Sequence, residues 1–104
     1  MSLLFDRPEK VLCAATWYKD FPKAVHGARN IDEGLVVAGW RHPNIIGIVM
    51  SLSGKRTAEL DYQHGFLTTN GNFISRLDAM VMAKANNQVS DTISHKELFS
   101  EDLY

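Results

Sequence analysis

The residues best suited to chemistry fall in two short stretches. Gly39-Trp40-Arg41-His42 sets an aromatic ring, a guanidinium and an imidazole side by side. At a junction between a strand and a helix, such a group can aim Arg41 at a phosphate, with His42 adding a donor whose charge follows pH. The same residues also have a structural reading, in which Arg41 is a scaffold side chain and His42 caps the helix. In the second stretch Phe66 and Phe73 flank Asn70-Gly71-Asn72, and Arg76 opens the segment that follows. A planar base needs a ring to stack on, its edge needs amide partners and its phosphates need guanidinium groups, so this set suits a nucleotide-like ligand. A helix beginning at Arg76 adds an N-terminus that favours an anion. Taken alone, core packing is the favoured account of the two phenylalanines and turn geometry that of Asn70 and Asn72, and Arg76 also reads as an ordinary surface charge. Trp17 and Tyr18 either stack on a base or fill the core.

Catalytic signatures are missing from the chain. Its four histidines, His26, His42, His64 and His95, are scattered, with no HExxH and no cysteine pair, so nothing in the spacing assembles a metal site. The glycines form neither a dinucleotide fingerprint nor a phosphate-binding loop, and no serine sits in a nucleophile elbow. Glu97, Glu101 and Asp102 read as a solvated acidic terminus rather than a general acid/base pair. The expectation is a binding protein, not an enzyme, working without a cofactor or metal.

The elements that must position these groups follow from the apolar pattern. Residues 10–18, KVLCAATWY, predict a strand, and Leu35, Val36 and Val37 before Gly39 predict a second, with residues 19–32 looping between them. Residues 43–53, PNIIGIVMSLS, suit a buried strand or a buried helix; Pro43 at the start and Gly54 at a left-handed cap position favour the helix. Its apolar surface on nearly all sides predicts burial, against the body or another subunit. GFLTTNGNFI predicts strand, Asn-Gly turn and short strand. Ser75 and Asp78 then form a capping pair for a helix with Leu77, Met80, Val81 and Ala85 on one face, ending at Asn86-Asn87. The tail spaces Leu98, Phe99, Leu103 and Tyr104 for docking onto the body or a neighbouring chain.

With 104 residues the chain predicts a single α+β domain, a small antiparallel sheet with two helices. A core of that size makes self-association a natural way to bury more surface. The formal net charge of -1 gives no overall field for gripping DNA or an anionic membrane. The N-terminal apolar run is too short for a signal peptide and no later run is long enough to span a bilayer, which predicts a cytoplasmic protein. Cys13, in an apolar stretch, reads as a buried structural thiol.

AATWYKD, GWRH, SGKRTAELDYQHGFLTTNGNFISRLDAMVMAKANNQ and LFSEDLY together resemble the first-described family of phage Thoeris anti-defence proteins, over a span from about Val11 to Tyr104. The resemblance implies a small α+β sponge. Such a protein sequesters glyco-cyclic ADP-ribose-type signals made by bacterial TIR-domain proteins, and in some members the cyclic oligonucleotides of CBASS defence, without degrading them. It implies dimers and hexamers with ligand sites between protomers, acting in the infected bacterial cell. Carried over to this chain, Phe66 resembles a base-stacking residue, with Asn70, Asn72 and Arg76 as polar contacts and Trp17 lining the same site. Arg41, with His42 beside it, resembles the arginine that meets cyclic trinucleotide phosphates. Where family members place arginines near a diphosphate, this chain has His95 and Lys96.

Overall fold

Four strands form one antiparallel sheet in the order β2-β1-β3-β4, which places the first strand in the middle. The computed structural model describes residues 8–23 and 27–103; His26 and Tyr104 lie outside them. β1 is Val11–Tyr18, β2 Leu35–Gly39, α1 His42–Ser53, β3 Tyr62–Thr68, β4 Phe73–Ser75, α2 Arg76–Ala85 and α3 Ser100–Leu103, with a 3-10 turn at Thr57–Glu59. The chain is therefore α+β, as its pattern of apolar runs predicts.

Pairing register decides which residues share a face. Thr16 opposes Val37 on one side and His64 on the other, and Ala14 opposes Phe66. Since side chains alternate along a strand, Ala14, Thr16, Tyr18, His64 and Phe66 line one face. Both longer helices pack there, and Ile45 and Val49 of α1 join Phe66, Ala79, Met80, Ala83 and Leu98 in the core. The opposite face carries Trp17, Gly65 and Phe73. No helix among the described residues covers it; the loop ahead of β2 does so instead, with Asn30 both accepting from the Phe73 N–H at 2.7 Å and donating to its carbonyl at 2.6 Å. Trp17 meets Phe73 edge-on and donates from its indole to the Glu33 carbonyl.

Local chemistry sets the helix ends. Gly54 takes φ 71° and returns its N–H to the Met50 carbonyl, closing α1 in a left-handed cap. Ser75 Oγ accepts from the Asp78 N–H at 3.1 Å and starts α2. Gly71, with φ 81°, is the left-handed residue of the β3–β4 turn.

Three expectations are corrected. α1 is not buried all round: Ile45 and Val49 face the sheet, while Ile48 and Met50 are open and Leu52 is 85 % exposed. A twelve-residue helix lying on a sheet can bury only one stripe within its own chain. α2 buries Ala79, Met80 and Ala83, leaving Leu77 and Val81 outside. The two alanines let the helix axis lie close to Phe66, which rotates the larger side chains outward. His42 does not cap α1; the cap position belongs to Arg41, which makes no side-chain capping bond, and the His42 ring is buried on β3.

Candidate functional site

The beginnings of α1 and α2 meet at one corner of the helix-bearing face. β4 runs antiparallel to β3, with Ser75 opposite Gly65, so the first residue of α2 emerges beside His64. α1 starts with His42, whose Nε2 donates to the Gly65 carbonyl at 2.8 Å. The His42 and His64 ring centroids are 4.7 Å apart, and His64 Nδ1 shares a 2.7 Å hydrogen bond with the Thr16 hydroxyl. Phe66 packs edge-on against His42 and Tyr62 against His64.

Arg76 supplies the anomaly. Its Nε is buried and has no hydrogen-bond partner among the described residues. Its guanidinium lies 5.0 Å from the centroid of Phe99, a cation–π contact supplied by the C-terminal segment. That segment is tied down by the Leu98 N–H donating to the Arg76 carbonyl at 2.9 Å. No salt bridge to Arg76 occurs among the described residues, where the only ion pair joins His95 and Asp102 at 2.9 Å. A buried donor without an acceptor costs about 1–3 kcal/mol, more for a charged group, and so calls for an explanation.

The electrostatics run in one direction. Burial pushes the His64 imidazole down to about 4, with His42 and Arg76 opposing its protonation as well. His42 is lowered mainly by burial, and Arg76 adds to this, while the Gly65 carbonyl and Glu101 act the other way. A like charge disfavours a further positive charge, so the guanidinium and burial together oppose protonation of both rings. The corner thus gathers the Arg76 guanidinium, two imidazoles whose protonation burial and that guanidinium oppose, and two helix N-termini. It is built to attract negative charge.

The nine candidate residues divide as follows. His42 and Arg76 come together here with Phe66 beneath them, and Arg41 immediately precedes His42 at the start of α1. Phe66 is 0 % exposed, so neither ring face is open to a base; it is a floor for His42 rather than a stacking platform in this chain. His95 stacks near Phe99 but is engaged by Asp102, which also accepts from the Phe99 N–H, so this pair shapes the C-terminal turn. Lys96 lies over the outer side of α2 beside Leu77 and Val81. Asn70 and Asn72 sit in the turn at the far end of β3. There Asn72 Nδ2 donates to Glu9 Oε2 at 2.9 Å, and Thr68 donates to the same oxygen. These bonds hold the Glu9 carboxyl below its ordinary range. Trp17 is on the opposite face, lining a shallow hollow with Asn30, Ile31, Asp32 and Glu33.

The residues that sequence reasoning missed are His64 and Phe99. For His64 a signal existed: His64 and Phe66 alternate on one strand, so a ring known to be core at 66 implies an inward imidazole at 64. Phe99 reaches the site through tertiary packing, and its spacing from Arg76 carries no such signal.

Over residues 10–104 the chain matches the pattern of the phage T4 y16D protein. It belongs to that family. Neither a curated protein nor a solved structure matches it. No helix among the described residues is long and apolar enough to cross a membrane, and no three metal-ligating side chains converge among them. Cys13 is half-buried in β1, and desolvation raises its thiol, which makes it a poor nucleophile.

Proposed function

We propose that this phage-family protein is an anti-defence sponge that binds and holds glyco-cyclic ADP-ribose-type immune signals, and cyclic trinucleotides of CBASS defence, without degrading them. The observation that carries this reading is Arg76: a guanidinium with a buried, partnerless Nε, set against an aromatic ring and flanked by helix N-termini. Arg76 as a whole is half-buried, so its outer guanidinium nitrogens can offer a phosphate their planar fork in a bidentate fashion. Phage family membership and the resemblance of the GWRH and GFLTTNGNFISRLDA stretches point the same way. Phe66 being sealed moves stacking elsewhere, and Phe99 under Arg76 and Trp17 on the other face both keep ring surface outside the core.

Sequestration requires affinity and slow release but no nucleophile. The dissociation constant must lie below the signal level that activates the effector, and the sites must match the signal molecules in number. On this reading the protein acts in the cytoplasm of the infected bacterial cell as a homo-oligomer, a dimer or hexamer. The open side of α1 with Ile48 and Leu52 is the surface best suited to a neighbouring copy. Isothermal titration with glyco-cyclic ADP-ribose, and separately with a cyclic trinucleotide, tests the proposal. Saturable binding with the ligand recovered intact after heat denaturation supports it. Linear product in excess of one equivalent per site makes the protein a hydrolase instead, and absence of binding by folded protein overturns the reading.

The same apolar side of α1, together with a Trp40 ring that is 67 % exposed, also fits a direct inhibitor of a defence enzyme. Capture of a purified TIR-domain enzyme without any small molecule distinguishes that reading.

A further inference from the structure

His64 differs from its neighbours in the corner site. His42 spends Nε2 on the Gly65 carbonyl, and Arg76 Nε is sealed from solvent. His64 uses Nδ1 on the Thr16 hydroxyl, and its Nε2 has no hydrogen bond among the described residues. The groups around it are Thr16 from β1, Tyr62 on its own strand, His42 from α1 and Arg76 from α2, with Glu101 of the C-terminal turn acting on the neighbouring His42. The permanent charge that acts on it is the Arg76 guanidinium, which opposes a further proton. An oxyanion docked at Arg76 reverses that local field, and a neutral imidazole with an unused nitrogen is the group able to respond.

Building on the anion-site reading of Arg76, we infer that ligand binding is proton-linked: as an oxyanion docks at Arg76, His64 takes a proton from solvent on Nε2 and donates that N–H to the oxyanion. Linkage fixes the sign. A group protonated more readily in the complex than in the free protein makes affinity rise as pH falls, through the window between its two values. The free value is about 4. If the oxyanion returns His64 only to the ordinary imidazole value near 6.5, affinity increases about fourfold from pH 7.5 to pH 6. The diphosphate of a cyclic ADP-ribose-type ligand is a diester that stays ionised throughout this window, so the protein is the source of the dependence.

The test is isothermal titration with glyco-cyclic ADP-ribose at pH 6.5 in buffers of low and high ionisation enthalpy, whose difference reports protons taken up per site. The expected result is uptake of about half a proton per site, and that uptake is lost in His64→Gln. The Cε1–H resonance of His64, followed with and without ligand, gives the same answer in the wild-type protein should the variant fold poorly: its midpoint moves upward on binding. Binding whose heat is independent of buffer, with an unmoved His64 midpoint, overturns the proton linkage and leaves the sponge reading standing. Uptake that survives in His64→Gln also overturns it. Failure of the folded protein to bind at any pH removes the sponge reading and the linkage with it.

Discussion

Lowering the pH from 7 to 5 should weaken the fold by an amount set largely by His64. In the folded chain its imidazole is held neutral down to about 4, because burial and the adjacent basic groups oppose the proton. In the unfolded chain it takes up a proton from about pH 6.5 downward. The folded value is the lower one, so stability is complete above the unfolded value and declines as pH falls towards the folded one. At 1.36 kcal/mol per unit, the loss accumulated by pH 5 is about 2 kcal/mol for a fully realised shift, and somewhat less for a half-buried ring that solvent partly screens. His42, displaced in the same direction, adds to it. The Glu9 carboxyl is lowered from an ordinary value of 4.5, so its contribution is lost at more acid pH and does not obscure this window. Urea unfolding followed by tryptophan fluorescence at pH 7 and 5 measures the effect, with His64→Gln as the comparison. The variant should lose much less stability on acidification than the wild type. An unchanged wild-type midpoint across these pH values, or an equal fall in both proteins, refutes the reasoning.

Replacing Arg76 by Met should leave stability unchanged or raised by about 1 kcal/mol, because it removes a buried donor with no partner, while abolishing ligand binding; thermal melts and titration on the same sample check both. Phe66→Ala should cost about 3–5 kcal/mol, since the ring is completely buried against His42 in the core, and the deficit should appear as unfolding in circular dichroism rather than as a selective binding loss. Gly65→Ala should prevent folding or cost more than about 3 kcal/mol, because the added methyl meets the Phe73 ring at 2.7 Å and collides with the Ile74 carbonyl; insoluble expression, or a sharp loss in the denaturant midpoint, is the expected readout. Asn72→Ala should cost about 1–2 kcal/mol without changing ligand affinity, since the side chain serves Glu9 at the end of the sheet remote from Arg76.

Much of this architecture could be read from the chain itself, because it depends on short-range chemistry. Pro43 and Gly54 bracket α1, Ser75 and Asp78 start α2, and the Asn-Gly turn joins β3 to β4; each acts within a few residues and needs no knowledge of the rest. The nucleotide-suited groups at Arg41, His42 and Arg76 were visible for the same reason, as residue types with a known chemistry next to predictable helix starts. What tertiary structure decided was direction. The faces of α1 and α2 turn on where the sheet lies, and close approach of Ala79 and Ala83 outweighed the larger apolar side chains of Leu77 and Val81. Phe66 and Asn72 have binding and structural readings that composition cannot separate, and only cross-strand register and Glu9, 63 residues away from Asn72, assigned them to the scaffold. The corner itself, where Phe99 covers Arg76 and His64 meets His42, exists because β4 delivers α2 beside β3. Contacts between residues so far apart in sequence leave no periodic trace in the chain that makes them.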